Sequence, residues 1–432
     1  MYPRISTGVV RLIHLVALAC CFAYMDAATA QSTSVTLAEA MQKAAVNADV
    51  SLARRAAAAA SADVTAADHA PTPTVIAKAS SINLQSGIGG GNLLLDKRID
   101  KSLGVDWTWE RGNKRVLRTR AAQRTADAAQ ADVQEAIVLQ QIAASSAFYD
   151  LLAAQERVGQ VEAIGRSSQE LATNGARRVK AGDLSQQEAL RIEIESQRAG
   201  ADLRVAQEDR RRAAQALALL TGLSLPLQAS ADWPVVSAKD TALPDMLIDS
   251  RADVQAAMQR VQAAQAALDN AQSLRKTDLT LGTTLDHFPG TSTRLLELRV
   301  QVPLSGLFGT YGYDGEIARA RAQLDQAQDQ LDKTRRQATS DSQRLQQDLQ
   351  AGAARATGYG SAIVPRARQV AAMAELAYSK GAMSLTDLID ARRTLRTVLL
   401  EDIAARADHA RLLTAWQLRS GPASAMPSTA LP

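Results

Sequence analysis

The sequence predicts a mainly α-helical chain with a small β part, organised as an internal duplication. Three observations predict it. Long Ala-rich stretches place apolar or small residues in a 3,4 alternation, four short stretches alternate with period two, and one helix-reversal signal recurs 199 residues apart, at Gly182 and Gly381. Aromatics are only 3% of the 432 residues, too few for an ordinary globular core of that length. Ala-rich, charge-rich sequence instead suits long helices packed along small-residue seams. The formal charge of +4 is weak and dispersed, which argues against a nucleic-acid partner.

In chain order, residues 1–30 read as a secretory leader. Arg4 and Arg11 precede an apolar run from Leu12 to Met25, and Ala28 to Ala30 form a small-residue cleavage site. A lipoprotein leader cut before Cys20, in VALAC, is the competing reading, although it lacks the usual Leu three residues before the cysteine. Both cysteines, Cys20 and Cys21, fall in this segment, so the rest of the chain predicts no disulfide and no thiolate metal site. No later stretch approaches the ~18 apolar residues of a membrane-crossing helix, and any membrane passage is expected to be made by strands.

The first repeat is expected over 31–223, an inter-repeat linker over 224–249, the second repeat over 250–420, and a disordered tail over 421–432. NADV at Asn47 answers RADV at Arg251. Each opens a helix, then a β-hairpin, a long helix, a Gly-Ser reversal and a returning helix. The strands are Leu103 to Trp109, Leu279 to Leu285 and Leu296 to Leu304, with a weaker one from Thr74 to Gln85 whose alternation slips after Ala79. SGIGGGN (Ser86 to Asn92) and HFPGTST (His287 to Thr293) close the two hairpins. Trp107, Trp109, Phe288, Phe308, Tyr311 and Tyr313 gather at strand ends, where a membrane-interface belt would place them.

The first long helix, about Asn113 to Lys180, has no Pro, with Gly159 or Gly165 its expected flaw. Some 65 residues would extend roughly 100 Å. Its counterpart, about Gly315 to Ser379, carries Pro365, where a kink or break is expected. Seam positions run Ile317, Ala320, Leu324, Ala327, Leu331, Thr334, Ala338, Asp341 and Leu345, and later Leu388, Ala391, Leu395, Val398, Asp402, Ala405, His409 and Leu412. At each reversal a Gly (Gly182, Gly381) suits a left-handed turn. A Ser (Ser185, Ser384) then precedes an acid by three positions (Glu188, Asp387), the signature of a capping box.

Four strands with one apolar face cannot close into a barrel, and open edges are not tolerated in lipid. If they are membrane strands, copies must pool them, and the polar faces bearing Asp106, Glu110, Asp286, Glu297 and Arg299 would line a wet lumen.

In this order of elements the chain resembles the TolC-like outer-membrane efflux factors over nearly its whole length after the leader. VKAGDLSQQEAL and YSKGAMSLTDLIDA look like that family's two helical tips. WERGNKRVLR (Trp109 to Arg118) is similar to the Gly-Lys-Arg stretch of the CzcC-like, heavy-metal branch, with Asn113 interrupting its paired glycines. VPLSGLFG (Val302 to Gly309) looks like the second-half counterpart. The resemblance implies an outer-membrane protein extending into the periplasm, with long antiparallel coiled-coil helices forming a periplasmic α-barrel. Four strands per protomer would contribute to a trimeric, twelve-stranded transmembrane β-barrel in outer-membrane lipid. It implies partnership with a periplasmic adaptor and an inner-membrane pump of the resistance-nodulation-division type. Conduction would be passive, with divalent heavy-metal cations as cargo.

The same resemblance puts a periplasmic gate at Tyr378, Asp387 and Asp390. Asp387 also reads as a capping acid favoured by the helix dipole, and both readings stand. An Arg of the prototype's latch is replaced here by Met383, with Lys380, Arg392 or Arg393 as substitutes. Adaptor contacts are expected at Gly182, Leu184, Ser185, Gly381, Met383 and Ser384, whose Gly and Ser also serve turn geometry alone. His69, His287 and His409 are isolated, so no metal site, cofactor or catalytic constellation is expected, and the chain reads as a non-enzyme. Two alternatives remain: a multidrug or other small-molecule efflux factor, and a periplasmic coiled-coil scaffold or adaptor without a pore.

Overall fold

The computed structural model describes residues 33–85, 90, 99–236, 247–288, 294–303 and 311–420. The expected leader with Cys20 and Cys21, most of the two hairpin loops, Phe308, most of VPLSGLFG, part of the linker and the tail lie outside them. The first repeat gives β1 (Thr33–Val35), α1 (Leu37–Ala44), α2 (Ala48–Ala67), β2 (Thr74–Ser80), β3 (Asp100–Trp109), α3 (Lys114–Ala181) and α4 (Gln186–Thr221). After β4 (Leu227–Ala229) the second gives α5 (Ala252–Ser273), β5 (Leu279–His287), β6 (Arg294–Gln301), α6 (Asp314–Gly358), a π turn (Tyr359–Ile363), α7 (Val364–Ser379) and α8 (Leu385–Ser420).

The chain divides into two compact units, each drawing on both repeats: residues 1–44, 141–241 and 349–414, and residues 45–140, 242–348 and 415–432. The first unit has a core of Phe148, Leu151, Leu217 and Val35 with the small residues Ala40 and Ala410. Part of the expected linker is ordered here. β4 pairs in parallel with β1, and Trp233 stacks on Tyr149 with ring centroids 6.1 Å apart. Its indole N–H donates to Glu156 at 2.8 Å, while the Arg406 guanidinium lies over the ring.

The second unit carries a smaller core of Leu268, Ala271, Ala320 and Leu324, and an antiparallel sheet in the order β2-β3-β5-β6. Ala at the helical contacts keeps backbones close and side-chain ordering cost low.

Several expectations change in detail. α3 runs 68 residues without a flaw at Gly159 or Gly165. It also has an 18-residue window of mean hydropathy 1.3, apolar enough to cross a membrane by length and composition, which the sequence reading missed. In the fold, Phe148, Tyr149 and Leu151 of that helix are buried in the core instead. Pro365 does not end its helix. The π turn immediately before it absorbs the missing N–H and the ring clash, and Pro365 sits in the first turn of α7. The α6 seam slips after Ala338: Ser342 is buried and Asp341 exposed, because a charged seam residue moves outward where a hydroxyl can bond its own helix. β2 stops at Ser80, and β6 stops at Gln301, so Val302 lies past the ladder.

Candidate functional site

Two regions hold the predicted residues. In the second unit, strand register sorts the sheet into an apolar and a polar face. Leu103 pairs with Leu285 and Leu285 with Leu296, while Trp107 pairs with Leu281 and Leu281 with Val300. These side chains are exposed (Leu298 by 78%), as a lipid-facing surface requires.

On the other face Asp106 pairs with Gly282, and Gly282 with Arg299. Arg299 Nη2 donates to both Asp106 oxygens at 2.6 Å. Gly282 makes that reach possible, since a Cβ there would overlap the Asp106 carboxylate and come within 3.2 Å of the guanidinium. Gly104 likewise admits Thr284, which a Cβ would overlap. Glu297, paired with Thr284, is exposed on this face, and Asp286 is buried on it. Glu110 does not belong to it. It lies one residue past β3, and its carboxylate accepts from Arg118 at 2.9 Å.

The stretch from Trp109 to Arg118 is the turn from strand to helix. Gly112 and Asn113 both take positive φ, +74° and +58°. Asn tolerates the left-handed region, so the departure at Asn113 preserves the turn. Tyr313, 200 residues later, repeats the positive φ at +60°. Four contacts pin this turn: Lys114 to Asp278 at 2.8 Å, the Arg111 backbone N–H to the same carboxylate at 2.9 Å, Arg115 to Asp68 at 2.8 Å, and Arg118 to the His69 carbonyl at 2.7 Å.

The first unit holds the two reversals. Each long helix ends in a Schellman motif. Gly182 N–H bonds the Val179 carbonyl and Asp183 N–H the Arg178 carbonyl, and Gly381 and Ala382 repeat the pattern onto Tyr378 and Ala377. The glycines have φ of +82° and +74°, which a side chain would strain. Ser185 and Glu188 complete a reciprocal capping box. At the second tip the Ser384 hydroxyl accepts from the Asp387 N–H at 3.2 Å and donates to its carboxylate at 2.7 Å. Ser384 therefore caps α8 and Asp387 holds its hydroxyl, while Asp390 is exposed, with Arg393 3.9 Å away. Leu184 and Met383 are half-buried, and the other expected contact residues, Gly182, Ser185, Gly381 and Ser384, are exposed.

Two of the three expected latch substitutes are committed elsewhere. Arg392 bonds Glu375, and Arg393 pairs with Glu195. Tyr378 is held instead by Arg178 of the first repeat, whose Nη1 donates to the phenol oxygen at 3.3 Å and whose guanidinium lies 5.9 Å from the ring centre. Sequence spacing could not find Arg178, because its partner is 200 residues away. Arg191 donates to Thr386 at 3.2 Å, and Arg396 pairs with Asp202, so the two returning helices are cross-linked below the tips. The Arg393 hydrogen bond holds the Glu195 carboxyl below the usual carboxylate range, and the two Ser185 bonds do the same for Glu188. Among the described residues no cluster of His, Cys, Asp or Glu could hold a metal ion.

The architecture is that of the TolC-like outer-membrane channels. The Campylobacter jejuni CmeC outer membrane channel superposes with a TM-score of 0.75 at 15% identity, over 90% of this chain and 86% of that one. The Vibrio cholerae outer membrane protein VceC gives 0.70 at 19% identity, over 89% and 96%. In sequence the chain is similar to the cobalt-zinc-cadmium resistance protein CzcC of Cupriavidus metallidurans, 28% identical over 300 residues, 66% of this chain and 68% of the relative. No protein-family model matches. The chain therefore has the fold of the TolC-like outer-membrane channels, and in sequence it is similar to a CzcC-type resistance protein.

Proposed function

We propose that the protein is the passive outer-membrane conduit of a tripartite pump, working as a homotrimer and passing divalent heavy-metal cations outward. One observation carries the assembly. A four-stranded sheet with an exposed apolar face leaves β2 and β6 as open edges, and lipid offers their backbone groups no partner. Copies must therefore pair edge to edge, and three copies give the twelve strands that the family resemblance implies. The face of Asp106, Asp286, Glu297 and Arg299 would then meet water in the lumen.

The tips carry the remaining roles. Gly182, Leu184, Ser185, Gly381, Met383 and Ser384 present the two reversals to a periplasmic adaptor, behind which an inner-membrane pump of the resistance-nodulation-division type supplies the driving force. Tyr378 with Arg178, and the Asp387 and Asp390 carboxylates, form the gate, where three copies put six acids near one axis. The chain performs no chemistry on its cargo. Similarity to a cobalt-zinc-cadmium resistance protein supports the metal cargo.

The test is growth of a deletion strain on divalent metal salts, dyes and antibiotics, with complementation by the intact gene. Sensitivity confined to metals is the expected result. Sensitivity to dyes and antibiotics with normal metal tolerance would move the cargo to small organic compounds, and recovery of the protein in the soluble periplasm would sink the channel reading.

A further inference from the structure

One end of the sheet carries a feature that conduction does not use. On the outward face the apolar row Ala77, Leu103, Leu285, Leu296 is followed, two residues further along each strand, by Ala79, Lys101, His287 and Arg294, each the register partner of the next. A surface suited to hydrocarbon thus ends in three nitrogen bases side by side. With strands about 4.8 Å apart, the three reach across roughly 10 Å, the scale of one phosphorylated sugar headgroup.

A groove of about 550 Å³ opens here, floored by Ile99, Leu103 and Leu285 and shared by Lys101, His287 and Arg294. Lys78 and Asp286 also border it, but the register places their side chains on the polar face, so the outward charge comes from Lys101, His287 and Arg294. The Lys101 ammonium is shielded from solvent without a hydrogen-bond partner, a costly state unless an anion shares the site. Trp109, at the helix end of the sheet, is eight residues from Lys101 on β3, about 27 Å along the strand, which at a barrel strand's tilt of about 35–45° is roughly 20 Å of height, most of the apolar band of about 25 Å. With Trp107 and Trp109 at the periplasmic boundary, the bases stand at the level of the outer-leaflet headgroups.

We propose that this groove binds the phosphorylated headgroup of a glycolipid in the outer leaflet. Lys101 and Arg294 balance the phosphate charge, His287 donates a hydrogen bond, and an acyl chain lies along Leu103 and Leu285. A free phosphate would satisfy the bases and leave the apolar floor bare, which favours the lipid. The inference rests on the sheet spanning the membrane.

To test it, the full chain is extracted in a neutral detergent and incubated with diphosphoryl lipid A, with its dephosphorylated form, or with the diphosphoryl form plus equimolar inorganic phosphate. Retained lipid is counted by native mass spectrometry, and conductance across a planar bilayer is measured on the same samples. The wild type and Arg336→Ala, a helical control, are expected to retain diphosphoryl lipid A. Retention falls at least about tenfold, or ~1.4 kcal/mol, for the dephosphorylated lipid and for the Lys101→Ala/Arg294→Ala double variant. Lys101→Gln, which keeps the stem, replaces the double variant if that fails to conduct. Equal retention by either variant, equal retention of the dephosphorylated lipid, or displacement by inorganic phosphate overturns the proposal. Conductance without lipid retention overturns it while leaving the channel standing, and loss of conductance in the wild type sinks the channel reading itself.

Discussion

Arg299 on β6 reaches Asp106 on β3 across a glycine, bonding both carboxylate oxygens at 2.6 Å although β5 lies between them. The pair ties three strands together on the polar face, and Gly282 is the gap it passes through. Replacing Gly282 by Val should break the pair by overlap and lower the melting temperature. Arg299→Ala should keep the fold, cost about 1 to 3 kcal/mol for the lost charged hydrogen bonds, and raise cation selectivity in planar bilayers by freeing one carboxylate per copy. Unchanged selectivity in Arg299→Ala would show that Asp106 does not face the conducting path.

The Arg178 to Tyr378 contact makes a graded prediction at the tip. Tyr378→Phe removes the 3.3 Å hydrogen bond and leaves the ring beneath the guanidinium. Arg178→Ala removes both. Each exposed contact contributes on the order of 0.5 to 1 kcal/mol, so open probability should rise by a few-fold in Arg178→Ala and by less in Tyr378→Phe. Equal conductance in all three proteins would leave the pair without a role in closure.

Acid should loosen the same region. Glu195 has its carboxyl lowered chiefly by the Arg393 hydrogen bond. A lowered folded-state pKa contributes stability that is fully present above the unfolded carboxylate value, about 4.3, and is lost as pH falls through the depressed one. Hydrogen exchange around the third turns of α4 and α8, where Glu195 and Arg393 lie, is therefore expected to accelerate below pH ~4 after correction for the intrinsic rate. Glu195→Gln should flatten that acceleration, and a variant that keeps the full pH dependence would assign it to other carboxylates.

A fourth prediction concerns Glu135, whose carboxyl is raised by burial although Arg419 bonds it at 2.9 and 3.0 Å. A raised acid pKa means the ionised form is disfavoured in the folded state, so above that value the group subtracts from stability. Arg419→Met leaves the charge without its partner and should cost up to about 3 kcal/mol, whereas the Glu135→Leu/Arg419→Met double variant should recover most of it. Thermal melts of the two proteins decide this, and a double variant as unstable as the single would show that the pair's geometry itself is required.

How much of this was legible in sequence depends on the range of the forces involved. The period-two segments gave three strands within a few residues and the weaker fourth in its first half, because alternation records which face is apolar. The reversals at Gly182 and Gly381 were legible because Schellman and capping geometry is made within one turn. Pro365 was legible as a disturbance, yet the π turn that absorbs it depends on how a helix redistributes a lost hydrogen bond. The partner of Tyr378 was illegible for a different reason. Lys380, Arg392 and Arg393 are near Tyr378 in sequence, whereas Arg178 is near it only after α3 and α7 have been brought together.

The sequence by itself therefore determined the duplication, the order of helices and strands, the two faces of the sheet and the left-handed turns, all products of local periodicity and backbone sterics. Tertiary structure alone decided which charges meet: Arg299 with Asp106, Arg178 with Tyr378, Arg393 with Glu195, and Lys101 with His287 and Arg294 in one row. Those pairings are set by strand register and helix packing. A shift of one residue between the β5–β6 hairpin and β3 would leave every local pattern intact, yet turn Arg299 to the face opposite Asp106, and His287 and Arg294 to the face opposite Lys101.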